Sequence, residues 1–599
     1  MCGITGFAGF EDKALLKKMT DVITHRGPDD DGYYTDRHVS LGNRRLSIID
    51  ISGSKQPVFN QNRDMVIVYN GEVYNFRQLR QELQQSGHKF YTEGDAEVVL
   101  HLYEEHGEQC VTMLNGMFAF AIWDARNKKL FLARDRAGIK PLYYTQLGSR
   151  FLFGSEIKSI LQCEDVKREA DMEAIDSYLT FRYVPGPKTL FKDIFKLMPG
   201  HTLTLHQGRF DIKKYWSLEF RPGNESEDYY AKKLRQLMED SVRKRLISDV
   251  PLGAYLSGGL DSSFVVGLMS KLMDRPVNTF TVTFDDIEFN EAPFARKTAE
   301  SFGTNHRTLK VREKSIDILP SVIWHMDEPV SDPAAMPTYM ISELTKRHVT
   351  VVLTGEGSDE LFGGYPQYRA AMLDRKIGPL RKFVPALSKN DIMKRFRQDY
   401  VNWISVFTES EKRQLLLEQP AEADKEIKRP YMLDNILAFD IKQWLPDDLL
   451  IKVDKNTMAH SVEARVPFLD HRMIEFAATI PSKYKAGILS EKKVLRKAMQ
   501  GLVPKDILNR KKQGFHVPVE NWIGGELRDI IHNMLSEPMI ERRGYFNSAY
   551  VKKLLVNYNM SKKYYSRQLW NLFVLELWHR IFVDCENIKK PEKGIVELL

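Results

Sequence analysis

Cysteine is scarce. Four cysteines occur in 599 residues (Cys2, Cys110, Cys163 and Cys585), widely scattered and with no CxxC pair. Such usage argues against a disulfide framework and a cysteine-type zinc site, and it suits a reducing cytoplasm. Long hydrophobic runs are also missing. A membrane span needs roughly 18 apolar residues, whereas the stretch 117–123 breaks off far earlier. Glu11 and Asp12 close the apolar start before a signal sequence could develop. No GxxxxGK(S/T) phosphate loop, internal repeat or low-complexity tract occurs. Charge of one sign is in short supply too: a net +7 is spread thinly, and clusters such as Arg510-Lys511-Lys512 are brief. Neither a nucleic-acid partner nor a membrane partner is expected. What remains is an ordinary globular composition, 43% hydrophobic and 28% charged, on a chain long enough to require at least two domains.

The two halves differ in texture. Up to about Trp216, short β-rich runs (65–69, 118–123, 130–133) alternate with turns and with helical spacing at 76–86 and 96–106. The segment 218–227, with Pro222, Gly223, Asn224 and Ser226, reads as a linker and sets the expected domains at 1–217 and 228–599. Beyond it the pattern becomes strand (252–256), helix (263–273), strand (277–284), helix (292–302), strand (306–311), then a helix through 342–347 and strand (349–353). Such alternation predicts a parallel sheet with helices on both faces and a ligand beyond the carboxyl ends of the strands. From about Asp359 onward helical patterns dominate, and the aromatic stripe at 564–582 reads as core packing.

Three places carry chemistry. Cys2 would combine a thiol and a free α-amine once Met1 is removed, a nucleophile and a base on one residue. Taken alone, an early cysteine reads more simply as a small buried hydrophobe. Ser257-Gly258-Gly259-Leu260-Asp261-Ser262 joins a strand to a helix. Its glycines allow close backbone approach, the helix start offers N–H groups to an anion, and Asp261 can hold a divalent cation. Thr354-Gly355-Glu356-Gly357-Ser358-Asp359-Glu360 repeats that chemistry at the next strand end, with three carboxylates whose repulsion asks for a counter-cation.

SGGLDSS, TGEGSDELFGGY and the run Ser461 to Asp470 (SVEARVPFLD) together resemble the synthetase domain of glutamine-dependent asparagine synthetases. The resemblance implies cleavage of ATP between its α- and β-phosphates, giving an acyl-adenylate and pyrophosphate. It implies that Ser257, Gly258, Gly259, Asp261 and Ser262 hold pyrophosphate, with Asp261 and Asp359 as magnesium ligands. Val282, Thr354 and Gly355 would line the adenine site, Glu356 would serve acyl-adenylate formation, and Lys492 would steady developing phosphate charge. The stretch from Asp327-Glu328-Pro329 to Asp332-Pro333 and Thr338 is expected to help form the acyl pocket.

The first half resembles a class II glutamine amidotransferase domain of the N-terminal-nucleophile fold. On that resemblance Cys2 attacks the glutamine side-chain amide. Arg45, in the run Arg45-Leu46-Ser47-Ile48-Ile49, would clamp the α-carboxylate. Asn70 and Gly71 would form an oxyanion hole, although Asn-Gly by itself reads as a hairpin turn. Glu72 joins the glutamine-binding set, and Asp95 would pair with the α-ammonium. Its alternative is a helix N-cap. Glu93-Gly94 stands before Asp95 where relatives often carry Ser or Thr. His25-Arg26-Gly27-Pro28-Asp29 is a further match, expected to shape the pocket wall.

The expected architecture is thus an α+β N-terminal-nucleophile sandwich, then an α/β parallel-sheet ATP-pyrophosphatase domain with a helical C-terminal part. The expected ligands are glutamine, ATP with Mg2+, and aspartate or another carboxylate such as a cell-wall, peptide or polysaccharide-linked acid. A second copy of the chain is the candidate protein partner. Two sites in one chain further suggest an internal passage for ammonia.

Overall fold

The computed structural model describes residues 2–284, 291–311, 313–377, 400–419, 432–510, 517–592 and 594–595; Met1, Lys511 and Lys512 lie outside them. The first half is built on two six-stranded antiparallel sheets. One is centred on Cys2–Ala8 and Val39–Arg45, the other on Met65–Val73 and Gly116–Asp124. These four central strands are buried on both faces. Period-two alternation then sorts the side chains. Ile4 and Ala8 of one sheet meet Val66, Val68, Ala119 and Ala121 of the other in the inter-sheet core. On the outer faces, Phe7 packs with Leu16 and Met19, and Ile67, Tyr69 and Phe120 pack with Val98, Val99 and Leu102. The same alternation sets Cys2 in phase with Ile4, and Asn70 in phase with Val66 and Val68, so both belong to the inward faces. This α+β sandwich is the expected one.

In the second half, five parallel strands lie in the order Asn305–Val311, Asn278–Phe284, Leu252–Tyr255, Val351–Leu353, Glu463–Arg465. Strand order reverses between Leu252–Tyr255 and Val351–Leu353, which run in register from Leu252 opposite Val351 to Ala254 opposite Leu353. The two glycine-rich loops therefore leave neighbouring strand ends side by side, at the switch point where such sheets bind ligands. Observed elements differ from the expected ones by a residue or two, except that the helix expected at 263–273 begins three residues earlier, at Leu260, and Met65–Val73 runs four residues past Tyr69. Asn70-Gly71 thus lies inside a strand, not in a turn. A Cβ on Gly71 would stand 2.5 Å from the Met117 carbonyl oxygen, so only glycine lets the neighbouring strand come this close. The aromatic stripe is core, as expected: Leu569, Trp570, Phe573 and Trp578 of helix Lys562–Trp578 are buried, and Trp578 Nε1 donates to the Asp327 carbonyl at 2.7 Å.

The halves meet through buried charge. Helix Ile451–Met458 is buried on every side, yet carries Lys452, Asp454 and Lys455. With no solvated face, each charge needs its own partner. Asp454 takes Arg26 Nη2 at 2.8 Å and Lys140 Nζ at 2.9 Å from the first half. Lys455 pairs with Asp327 at 2.6 Å, and Asp327 also pairs with Lys158 at 2.7 Å. Removing one partner strands the others, a loss worth about 3–5 kcal/mol for a buried pair. Asp454→Ala is therefore expected to lower unfolding free energy by about that much, read by denaturant titration. A loss below about 1 kcal/mol, the range of exposed pairs, would mean that water already reaches the cluster.

Candidate active sites

At the first site, Cys2 is 5% exposed and lies opposite Arg45 in the antiparallel register. Its backbone N donates to Asn70 Oδ1 at 3.1 Å. That bond fixes the Asn70 amide and leaves Nδ2 buried, with no hydrogen-bond partner among the described residues. A buried N–H donor without a partner is costly unless a ligand oxygen meets it. Gln56 Nε2 contacts Cys2 Sγ at 3.5 Å and is itself held by the Tyr69 carbonyl, while its Oε1 accepts from Tyr69 N at 2.7 Å. Gln56 carries no motif and is invisible in the sequence. Arg26 Nε donates to the Cys2 carbonyl at 3.2 Å, and its two remaining nitrogens bind Glu156 and Asp454. The expectation for Arg26 as pocket wall is thus replaced by a buried tie between the Cys2 backbone and the second half.

The other matched residues fall into two groups. Asp95 is the first residue of helix Asp95–His106, not its cap, which is Gly94. Its Oδ2 accepts from Tyr69 Oη at 2.7 Å and Val73 N at 2.8 Å, and burial raises its pKa above the usual carboxylate value. Glu72 is buried, with one oxygen on Arg465 Nη2 at 3.1 Å and Oε1 unpartnered among the described residues; burial pushes its pKa well up. Arg45 spends three N–H bonds on the carbonyls of Ile49, Asp50 and Ile51, shaping that loop beside a cleft of about 490 Å3. Leu46 and Ile48 turn their side chains into the core, so only their backbones can face a ligand. Ser47 lines the cleft, its N–H held by Asp29 at 2.8 Å; Ile49 lends its carbonyl to Arg45.

The second site is a cleft of about 1110 Å3 at the switch point. Ser257, Gly259, Asp261, Ser262, Val282, Thr354, Gly355, Glu356, Asp359 and Lys492 all line it. Gly258 does not. It turns the chain at φ +70°, and a Cβ there would meet Ala295 N at 2.4 Å, so its part is conformational. Gly259 precedes helix Leu260–Leu272 with no side-chain cap, leaving the helix start turned to the cleft. The Ser257 and Ser262 hydroxyls touch at 3.0 Å.

Lys492 is the hub. Its ammonium lies 2.6 Å from Asp261 Oδ1 and 2.7 Å from Asp359 Oδ1, buried and on a left-handed backbone (φ 49°). Such a backbone costs about 1–3 kcal/mol and persists where surroundings over-determine it. A Cβ on Gly364 would fall 1.8 Å from Asp359 Oδ1 and 2.1 Å from Lys492 Cε, which explains the second glycine of LFGGY. The three loop carboxylates also prove unequal. Asp359 has the ammonium, and Glu356 faces the cleft. Glu360 is buried, pushed up to about 8 first by desolvation and then by Asp359, and held by Tyr365 Oη at 2.7 Å. A neutral Glu360 relieves the expected repulsion.

Of the expected acyl-pocket stretch, Asp332 and Thr338 line the cleft. Asp327 and Glu328 do not: Asp327 pairs with Lys158 and Lys455, and Glu328 with Lys196 at 3.3 Å, all buried between the halves. Lys452 and Arg182, which no motif marked, join Asp332 there at 2.8 and 3.4 Å. Nothing in the sequence singles out Lys452, because its helix is rich in polar residues and its full burial emerges only in the fold.

Residues 1–216 match the glutamine amidotransferase domain family, and residues 233–580 match the asparagine synthase family. The chain is 36% identical to asparagine synthetase (glutamine-hydrolyzing) 1 of Bacillus subtilis (strain 168), over 98% of this chain and 97% of that one. The chain belongs to the glutamine-hydrolysing asparagine synthetases. The family comprises carbon–nitrogen ligases with glutamine as amido donor, and this chain has both of their halves. A second B. subtilis relative, asparagine synthetase (glutamine-hydrolyzing) 3, is 34% identical over 90% of this chain and 93% of that one. Amidase chyE of Penicillium rubens is 30% identical over 91% and 93%. Among the described residues, no helix of this synthetase is long and apolar enough to cross a membrane.

Proposed function

We propose that the enzyme runs the family's reaction in full: glutamine hydrolysis at Cys2, and amidation of the β-carboxylate of aspartate at the switch-point cleft, giving asparagine, AMP and pyrophosphate. The observation that carries this reading is the bridge from Lys492 to Asp261 and Asp359. It sets one cation and two carboxylates at the start of a helix, the end whose N–H groups suit pyrophosphate.

At the first site the Cys2 thiolate attacks the glutamine amide carbon, and ammonia leaves as the thioester forms. Water then releases glutamate. Asn70 Nδ2 is the buried donor that meets the oxyanion, with the Gly71 N–H beside it. Gln56 Nε2 donates to Sγ at 3.5 Å and helps to orient it. Asp95 offers charge to the substrate ammonium, Glu72 supports it through Oε1, which has no hydrogen-bond partner among the described residues, and Arg45 holds the loop that receives the α-carboxylate.

At the second site Ser257, Gly259 and Ser262 bind the departing pyrophosphate, and Val282, Thr354 and Gly355 border the adenine. Two carboxylates that already converge on one ammonium fit a divalent cation, so Asp261 and Asp359 would hold magnesium arriving with ATP. That ion would supply charge neutralisation on phosphate oxygens. Lys492 then turns its ammonium toward the phosphates, and Glu356 faces the acyl group. Arg182, Asp332 and Lys452 place both signs of charge in the cleft, as a zwitterion with an extra carboxylate requires. The units 1–217 and 228–599 are the two functional halves, and four unbridged cysteines support a cytoplasmic setting.

The breadth of the cleft is the observation that favours a second reading, a larger carboxylic acid in place of aspartate. AMP and pyrophosphate release, measured with aspartate and with a panel of other carboxylates, separates the two. Aspartate is expected to drive stoichiometric release of both products. No turnover with aspartate beside brisk turnover with another acid overturns the main reading.

A further inference from the structure

Outside both catalytic sites, three ligand-type atoms converge in the first half. His88 stands in the turn after helix Phe76–Gln85, and His101 and Glu104 share one face of helix Asp95–His106. His88 Nδ1 lies 3.1 Å from His101 Nδ1, His101 Nδ1 lies 3.2 Å from Glu104 Oε2, and His88 Nδ1 lies 3.8 Å from that same oxygen. Ligands about 2.0–2.1 Å from a tetrahedral zinc ion stand about 3.3 Å from one another. The three separations bracket that edge length.

The outer contacts say which atoms point inward. His88 Nε2 meets Glu105 Oε1 at 2.6 Å, which leaves Nδ1 as the nitrogen that faces the cluster. His101, fully buried, faces Glu97 Oε1 with Nε2 at 3.7 Å. Glu97 is fixed in turn by the N–H groups of Tyr91 and Thr92. Glu104 Oε1 accepts from Asn60 Nδ2 at 3.0 Å, leaving Oε2 for the centre. A carboxylate hydrogen-bonded to the outer nitrogen, as Glu105 is to His88, is the arrangement that orients metal ligands; at His101 the Glu97 carboxylate stands near Nε2 without a hydrogen bond. Phe90 covers one side of His101, edge-on at 4.9 Å.

We propose that His88 Nδ1, His101 Nδ1 and Glu104 Oε2 bind one zinc-class divalent ion, with water as the fourth ligand on the side where His88 and Glu104 are 12% and 19% exposed. The ion pins the 87–94 connection to the helix that begins at Asp95. Its role is structural, since no catalytic group of either site touches it.

The test uses the untagged full-length chain, freed of metal by chelator and then titrated with Co(II) and with Zn(II). One equivalent of cobalt is expected to bind with the visible ligand-field bands of a four-coordinate ion, to be displaced by zinc, and to raise the thermal midpoint. His88→Gln and Glu104→Gln are expected to lose both the bands and the thermal shift. Glu105→Gln leaves all three ligands in place and should weaken binding about 10- to 100-fold, which decides the matter even if the ligand variants misfold. The proposal is overturned if the wild type takes up no stoichiometric cobalt at micromolar concentration, the trio then being a histidine pair sharing a proton. It is equally overturned if Glu105→Gln binds as tightly as the wild type.

Discussion

Cys2→Ala is expected to remove glutamine-dependent synthesis, by on the order of 10³-fold or more, while synthesis from added ammonia continues. The large first effect follows because no other thiol is near: Cys110 and Cys163 are buried elsewhere in the fold, and Cys585 lies against Arg168. The second follows because Cys2 is tied to its surroundings through backbone atoms, and through Arg26 to Asp454 of the second half. Its N–H donates to Asn70 and its carbonyl accepts from Arg26, and both bonds survive truncation of the side chain. Glutaminase release of glutamate and ammonia-dependent asparagine formation, measured on the same preparation, check both parts. Loss of both activities in a folded variant would refute the separation of the half-reactions.

Lys492→Ala should do the reverse. ATP–pyrophosphate exchange in the presence of aspartate is expected to fall about 10²- to 10³-fold, the usual cost of deleting one preorganised electrostatic contact to a reacting group. Glutaminase activity should persist. Without the ammonium, Asp261 and Asp359 lose the cation that they share. Gly364→Ala tests the same hub without changing a charge, since its methyl would claim the space of Asp359 Oδ1 and Lys492 Cε. It should depress exchange comparably. An unaffected exchange rate in Lys492→Ala would exclude this lysine from adenylation.

Much of this was legible in the sequence because it is local. Strand–glycine–helix order around 252–272 and 349–362 follows from periodicity and turn chemistry, and the two loops fall side by side once the sheet is parallel. Cys2 and Asn70 face inward for the same local reason, the two-residue repeat of a strand. What could not be read was pairing across distance. Arg26 and Asp454 are 428 positions apart, and nothing in either neighbourhood names the other. Asn70-Gly71 looked like a turn because its meaning lies in Met117 and Phe118 on the adjacent strand. Asp327 and Glu328 resembled pocket residues because acidic side chains seldom lie deep in a fold. Here each answers a lysine that the sequence places elsewhere.

The shared helix Ile451–Met458 bears on modularity. Arg26, Lys140 and Lys158 of the first half are matched by Asp454 and Asp327 of the second. A glutaminase cut free near residue 217 would keep Glu156 beside Arg26 and Lys158 but lose the partners that Asp454 and Asp327 supply, with Arg26 still bonded to the carbonyl of the nucleophile. Exchanging glutaminase halves between synthetases therefore calls for transplanting the acidic positions as well. The two halves are covalently one chain and, in their charges, one cipher with its key.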